Sequence, residues 1–103
     1  MFVHTVFFWL NRPENPAERA TLYAGLQALA TIAEIKTAYV GVAADTRRPV
    51  IDSSYDFSIT FIFETPHQQD IYQKHPDHTK FIDTCAHTWK RVQVYDAVPY
   101  SEK

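Results

Sequence analysis

Cysteine is almost absent from this chain. Cys85 is the one thiol in 103 residues, so no intramolecular disulfide framework can staple the fold. Glycine is nearly as scarce, with two in all, and Gly41 stands alone in an apolar run. No glycine-rich loop is therefore available to cradle a phosphate. An excess of one charge is missing too. A net charge of −2 gives no field that would draw nucleic acid or an anionic membrane surface. The longest unbroken apolar run, Val6 to Leu10, is far too short to span a bilayer. The opening Met1-Phe2-Val3-His4 lacks the basic start of a signal peptide and reads as a strand. These absences point to a cytoplasmic protein with neither a nucleic-acid nor a membrane partner.

What is present is the composition of a globular core. Hydrophobic residues make up 46% and aromatics 15%, well above what a disordered chain carries. The length fits a single domain over residues 1–103.

Phe2 to Leu10 is dense in aromatic and β-branched residues and predicts a strand with two mostly apolar faces. Asn15 before Pro16 predicts an N-cap followed by proline at the first helical position. Leu22, Leu26, Leu29 and Ile32 then recur at helical spacing, giving a helix over 16–33. Ile35 to Ala43 predicts a second strand, and residues 45–52 a polar loop. Tyr55 to Glu64 alternates, with Tyr55, Phe57, Ile59, Phe61 and Phe63 on one face. Thr65-Pro66 opens a short helix through Gln73, Pro76 opens another to about Thr88, and Arg91 to Val98 closes the chain as a strand before a tail from Tyr100. The order β-α-β-β-α-(α)-β is the ferredoxin-like α+β arrangement, with a four-stranded antiparallel sheet and helices on one face. Val3, Phe7 and Trp9 share the other face of the first strand. That face predicts a homodimer in which two sheets close an α/β barrel.

Chemistry concentrates in Tyr72-Gln-Lys-His75-Pro76-Asp77-His78. Proline suits the first turn of a helix and pushes the preceding residue toward extended backbone. The stretch therefore reads as a junction between two helices, with His75 and His78 flanking the second start. Three readings stay open there: an acid–base site, a metal site, or helix punctuation. A metal site would need a third ligand from His4, His67 or His87, and no His-Glu-x-x-His or Cys-x-x-Cys pattern supplies one. No metal and no cofactor are expected. Cys85 shares a helical phase with Phe81 and Trp89 and reads as a packed thiol. Arg47-Arg48 reads as a solvated loop.

His4-Thr-Val-Phe-Phe-Trp-Leu, the alternating segment from Ser54 to Glu64, the Tyr72–His78 stretch and Trp89-Lys-Arg-Val-Gln-Val-Tyr-Asp96 together resemble the stress-responsive A/B barrel, or Dabb, family. The resemblance covers essentially the whole chain. It implies a ferredoxin-like fold and a homodimeric barrel. Most members lack an assigned activity. One, a plant polyketide cyclase, closes a linear polyketide by an intramolecular aldol condensation without a metal. Its tyrosine and histidine are matched by Tyr72 and His78, and a first-strand histidine by His4. A further pocket histidine falls at Phe57, where this chain departs from that enzyme.

Two functions follow as expectations. One is a small-molecule binding domain of unassigned activity, with an apolar or aromatic pocket between sheet and helices lined by Tyr55, Phe57, Phe61 and His75. The other is a metal-independent cyclase-like enzyme with His78 as base, Tyr72 as oxyanion donor and His4 beside them. The antibiotic-biosynthesis monooxygenase-like domains share the architecture but not the His-Pro-x-His stretch.

Overall fold

The computed structural model describes residues 1–101. Glu102 and Lys103, the end of the expected tail, lie outside the described residues. The elements are β1 (Phe2–Leu10), α1 (Pro16–Leu29), β2 (Thr37–Gly41), β3 (Phe57–Phe63), α2 (Pro66–Lys74), α3 (Pro76–Cys85), a 3₁₀ turn over Ala86–Thr88, and β4 (Trp89–Ala97). The sheet is ordered β2-β3-β1-β4 and every neighbouring pair is antiparallel. This is the ferredoxin-like α+β fold expected from the element order. No helix is long and apolar enough to cross a membrane among the described residues.

Each helix starts where its capping chemistry says it should. The Asn15 side chain accepts from the Glu18 N–H, and the Thr65 side chain from the Gln68 N–H, each just ahead of a proline at the first helical position. α1 ends at Leu29, four residues earlier than its apolar periodicity predicts. Ile32 is still buried, but tight turns carry it, with its N–H bonded to Leu29 O. The spacing thus reported burial correctly and helix length incorrectly. The α1–α3 packing is close enough that a Cβ at Gly25 would collide with Cys85 Sγ, so glycine is required there.

Register assigns the two faces. β1 runs from Phe2↔Phe63 to Phe8↔Phe57 against β3, and from Val3↔Ala97 to Trp9↔Arg91 against β4. Side chains alternate across a strand. His4, Val6, Phe8 and Leu10 therefore join Phe57, Ile59, Phe61 and Phe63 under the helices, where all are buried. The opposite face carries Val3, Phe7 and Trp9, all half-buried, beside Tyr39 and Tyr95, which are 63% and 62% exposed. On it the Phe7 ring touches Tyr55 and Tyr95, and the Arg91 guanidinium lies 4.2 Å from the Trp9 ring centre.

A β-bulge shapes one end of the sheet. The pairing steps from Trp9↔Arg91 to Leu10↔Trp89, leaving Lys90 as the extra residue. Without it Trp89 would share the bare face with Arg91 and Gln93. With it, Trp89 turns to the helix side and packs against Phe8 at 5.2 Å and Phe81 at 5.6 Å between ring centres.

Candidate functional site

The covered face does not close completely. A cavity of about 230 Å³ lies between β1, β4 and the α2–α3 junction. Its floor and far wall are apolar, formed by residues such as Phe8, Ile59, Phe81 and Trp89. Its other end is polar, with His4, Tyr72, His78 and Asp96. Pockets for drug-sized ligands run to about 300–1,000 Å³, so the space suits a smaller molecule.

His4 reaches the cavity because it shares a face with Val6 and Phe8. A buried imidazole needs a partner, and the register supplies one by setting His4 opposite Asp96. His4 Nδ1 lies 2.6 Å from Asp96 Oδ1, with the histidine nearly sealed and the carboxylate 43% exposed. A carboxylate only accepts, so Nδ1 carries a proton, and in the neutral ring Nε2 keeps a lone pair. That is the arrangement of an oriented base.

Tyr72 is brought in by α2. Only 1% of it is exposed, and its ring meets those of His4, Phe61, Phe63 and His78. Burial pushes its phenol well above the usual range, because a phenolate would lose its hydration. The hydroxyl is therefore a donor at neutral pH.

His78 enters from the first turn of α3. The chain turns there at His75, whose backbone is extended (φ −65°, ψ 141°) before Pro76, as steric contact with the proline ring demands. The His78 ring stands edge-on to Tyr72 at 5.1 Å. Burial first, and then the nearby His4, lower its pKa, which favours the neutral ring. Its Nε2 lies 3.2 Å from Gln73 Nε2.

The expected site residues therefore divide. His4, Tyr72 and His78 line one cavity. His75 is a capping residue instead: its Nδ1 accepts from the Asp77 N–H at 3.0 Å. Phe61 is fully buried, packed behind Tyr72 rather than lining the space. Phe57 faces a separate shallow cleft with Arg19 and Tyr23, stacked on the Tyr23 ring at 6.0 Å and 4.9 Å from the Arg19 guanidinium. It lies opposite Phe8, near the other end of β3 from Phe61. Tyr55 falls on the bare face, its ring 4.7 Å from Phe7. The alternation read from Tyr55 breaks at Asp56. That residue ties its N–H to Phe8 O and its carboxylate to the Leu10 N–H, and β3 begins only after it.

Asp96 and Gln73 also line the cavity and are not among the residues expected there from the sequence. Asp96 follows Val92 and Val94 in the period-2 phase of the last strand, a signal that it shares their face; that it meets His4 required the β1–β4 register. Gln73 gave no signal beyond adjacency to Tyr72. His67 and His87 are exposed, and among the described residues no three His, Cys, Asp or Glu side chains converge in a metal-holding group.

Comparison with known proteins agrees with this architecture. The sequence model described as Stress responsive A/B Barrel Domain matches residues 2–99. A search among curated proteins finds no match. Among solved structures, a Dabb family protein with a ferredoxin-like fold from Mesorhizobium loti has a TM-score of 0.78 at 24% identity, over 97% of each chain. A dimeric ferredoxin-like protein of unknown function from Thermobifida fusca has 0.75 at 22%, over 95% of this chain and 90% of that one. A putative antibiotic biosynthesis monooxygenase from Nitrosomonas europaea has 0.71 at 12%, over 98% of this chain and 100% of that one.

Proposed function

The chain belongs to the stress responsive A/B barrel domain family, and from that premise we propose that it is a cytoplasmic homodimer whose protomers each bind a small, largely apolar carbonyl compound. The dimer forms through the bare sheet face, where Phe7, Trp9, Tyr39 and Tyr95 lie together. That apolar surface on a sheet without a covering layer supports the assignment. So do the dimeric ferredoxin-like relatives.

The observation that carries the ligand reading is the polarity of the cavity. One end is hydrocarbon and aromatic, the other holds a protonated phenol between two imidazoles beside the Asp96 carboxylate, and among the described residues no lysine or arginine lines it. Such a site favours a neutral acceptor over a carboxylate or phosphate, which would call for a fixed cation. Acetophenone is a suitable probe. Titrated into ¹⁵N-labelled protein, it is expected to shift the amides of β1, α2 and α3 in a saturable way. Tyr72→Phe removes the donor and weakens binding, while Tyr55→Phe, on the other face, does not. Binding unaffected by Tyr72→Phe would remove the cavity from the account.

A second reading, a metal-independent enzyme forming a carbon–carbon bond in the manner of an aldol cyclase, is favoured by the His4–Asp96 pair. His4 Nε2 takes the proton from the carbon next to a carbonyl. The electrons of that C–H bond move into the enolate, whose oxygen is held by the Tyr72 hydroxyl. The enolate carbon then attacks a second carbonyl of the same molecule, and the resulting alkoxide recovers a proton. This gives the base role to His4 rather than to His78, whose Nε2 faces an amide.

A further inference from the structure

We propose that Gln73 is a positioning residue that fixes His78 as a neutral imidazole with its proton on Nδ1, so that the two histidines of the cavity take unlike roles. The inference rests on reading the cavity as the functional site.

The observations form a short chain of amides. Gln69 Nε2 donates to Gln73 Oε1 at 3.1 Å, across the four-residue spacing that puts both on one face of α2. That leaves the Gln73 NH₂ as the group 3.2 Å from His78 Nε2. An amide nitrogen has no lone pair to offer, so it donates and the imidazole nitrogen accepts. A neutral ring that accepts at Nε2 carries its proton at Nδ1. Protonating Nε2 would set one N–H against another. Burial and the neighbouring His4 push in the same direction, lowering the affinity of His78 for a proton.

The fold creates this contact. Tyr72 faces inward, the next residue Gln73 faces outward, and the extended backbone at His75 brings the first turn of α3 back beside the last turn of α2. The titratable groups around His78 in the cavity are Tyr72 on α2, His4 on β1 and Asp96 on β4.

In their neutral forms both imidazoles thus carry the proton on Nδ1, for opposite reasons. In His4 the Nδ1–H is taken up by a carboxylate and the Nε2 lone pair stays available. In His78 the lone pair is occupied and the N–H remains on offer. His4 is then the acceptor of the pair and His78 the donor. Had Gln73 been a glutamate, the carboxylate would demand a proton on Nε2 and stabilise the charged ring.

The test is the ¹⁵N spectrum of histidine-labelled protein well above the histidine titration, at about pH 8, with His78 identified by its loss in His78→Asn. The parent is expected to show one dominant His78 tautomer, with a pyrrole-type Nδ1 and a pyridine-type Nε2. Gln73→Glu is expected to reverse the tautomer and raise the His78 titration midpoint by about one unit or more, as an adjacent opposite charge does. Gln73→Leu leaves a mixture. Gln73 is exposed, and circular dichroism verifies that the variants keep the parent fold. A merely structural role would leave the tautomer unmoved. A parent with the proton on Nε2, a parent with no dominant tautomer, or a Gln73→Glu protein with an unchanged tautomer overturns the inference. No ligand enters the measurement. A protein that shows the tautomer yet ignores acetophenone keeps this inference and loses the binding proposal.

Discussion

The two faces of β1 are built from similar residues and meet opposite surroundings. Toward the helices, Val6, Phe8 and Leu10 are buried with the aromatic residues of β3, and the one histidine among them is held by Asp96. On the other side Val3, Phe7 and Trp9 lie next to two largely exposed tyrosines. Hydrophobicity alone does not separate the two faces; cover does. What distinguishes the faces chemically is that a polar group on the covered side must find a partner or change protonation. His4 finds a carboxylate, and burial favours the neutral forms of Tyr72 and His78. Thr5 and Gln93, on the bare side, face no such demand. The cavity therefore sits where the covered face is left incompletely filled.

The largest effect expected from this contrast is on stability. Phe61→Ala, at the centre of the covered face, should cost about 3–5 kcal/mol of unfolding free energy, the usual range for a buried phenylalanine. Urea denaturation measures it, and a loss below about 1 kcal/mol would mean that the core lies elsewhere. Phe7→Lys probes the other face. It is expected to leave the circular dichroism unchanged while light scattering at micromolar protein falls from about twice the chain mass to a single chain mass. A parent that is already monomeric would remove the barrel dimer. The smallest effect is electrostatic. The pKa of His78 is lowered in the fold, so the unfolded chain binds the proton more readily and stability falls as pH drops through the unfolded histidine value of about 6.5. His78→Asn should flatten that part of the stability curve between about pH 7 and pH 5. An unchanged slope would show that His78 is not shielded by the cavity.

The succession of elements along the chain, the two proline-led helices of the Tyr72–His78 stretch and the apolar faces were legible because each has a local cause: period-2 alternation, a capping side chain, a proline. Tyr72 and His78 were legible as neighbours for the same reason. Non-local features were not legible. The Lys90 bulge that turns Trp89 inward, and the register that gives His4 its carboxylate, depend on how β4 meets β1, almost ninety residues away. Tyr55 misled because alternation persists in a sequence even where the strand has not begun. Phe57 and Phe61 misled in another way: sharing a face with a cavity is not the same as lining it, and the 230 Å³ space reaches Ile59 but neither of its aromatic neighbours.

The claim that binds these pieces together is that the ligand site lies on the covered face of β1 and the partner site on the bare one. A crystal of the protein soaked with acetophenone tests it most directly. Ring density is expected against Phe8, Phe81 and Trp89, with the carbonyl oxygen within hydrogen-bonding distance of the Tyr72 hydroxyl. Density at the Arg19–Phe57 cleft, or between the sheets against Phe7 and Trp9, with the His4–Tyr72–His78 cavity left without it, would contradict the account.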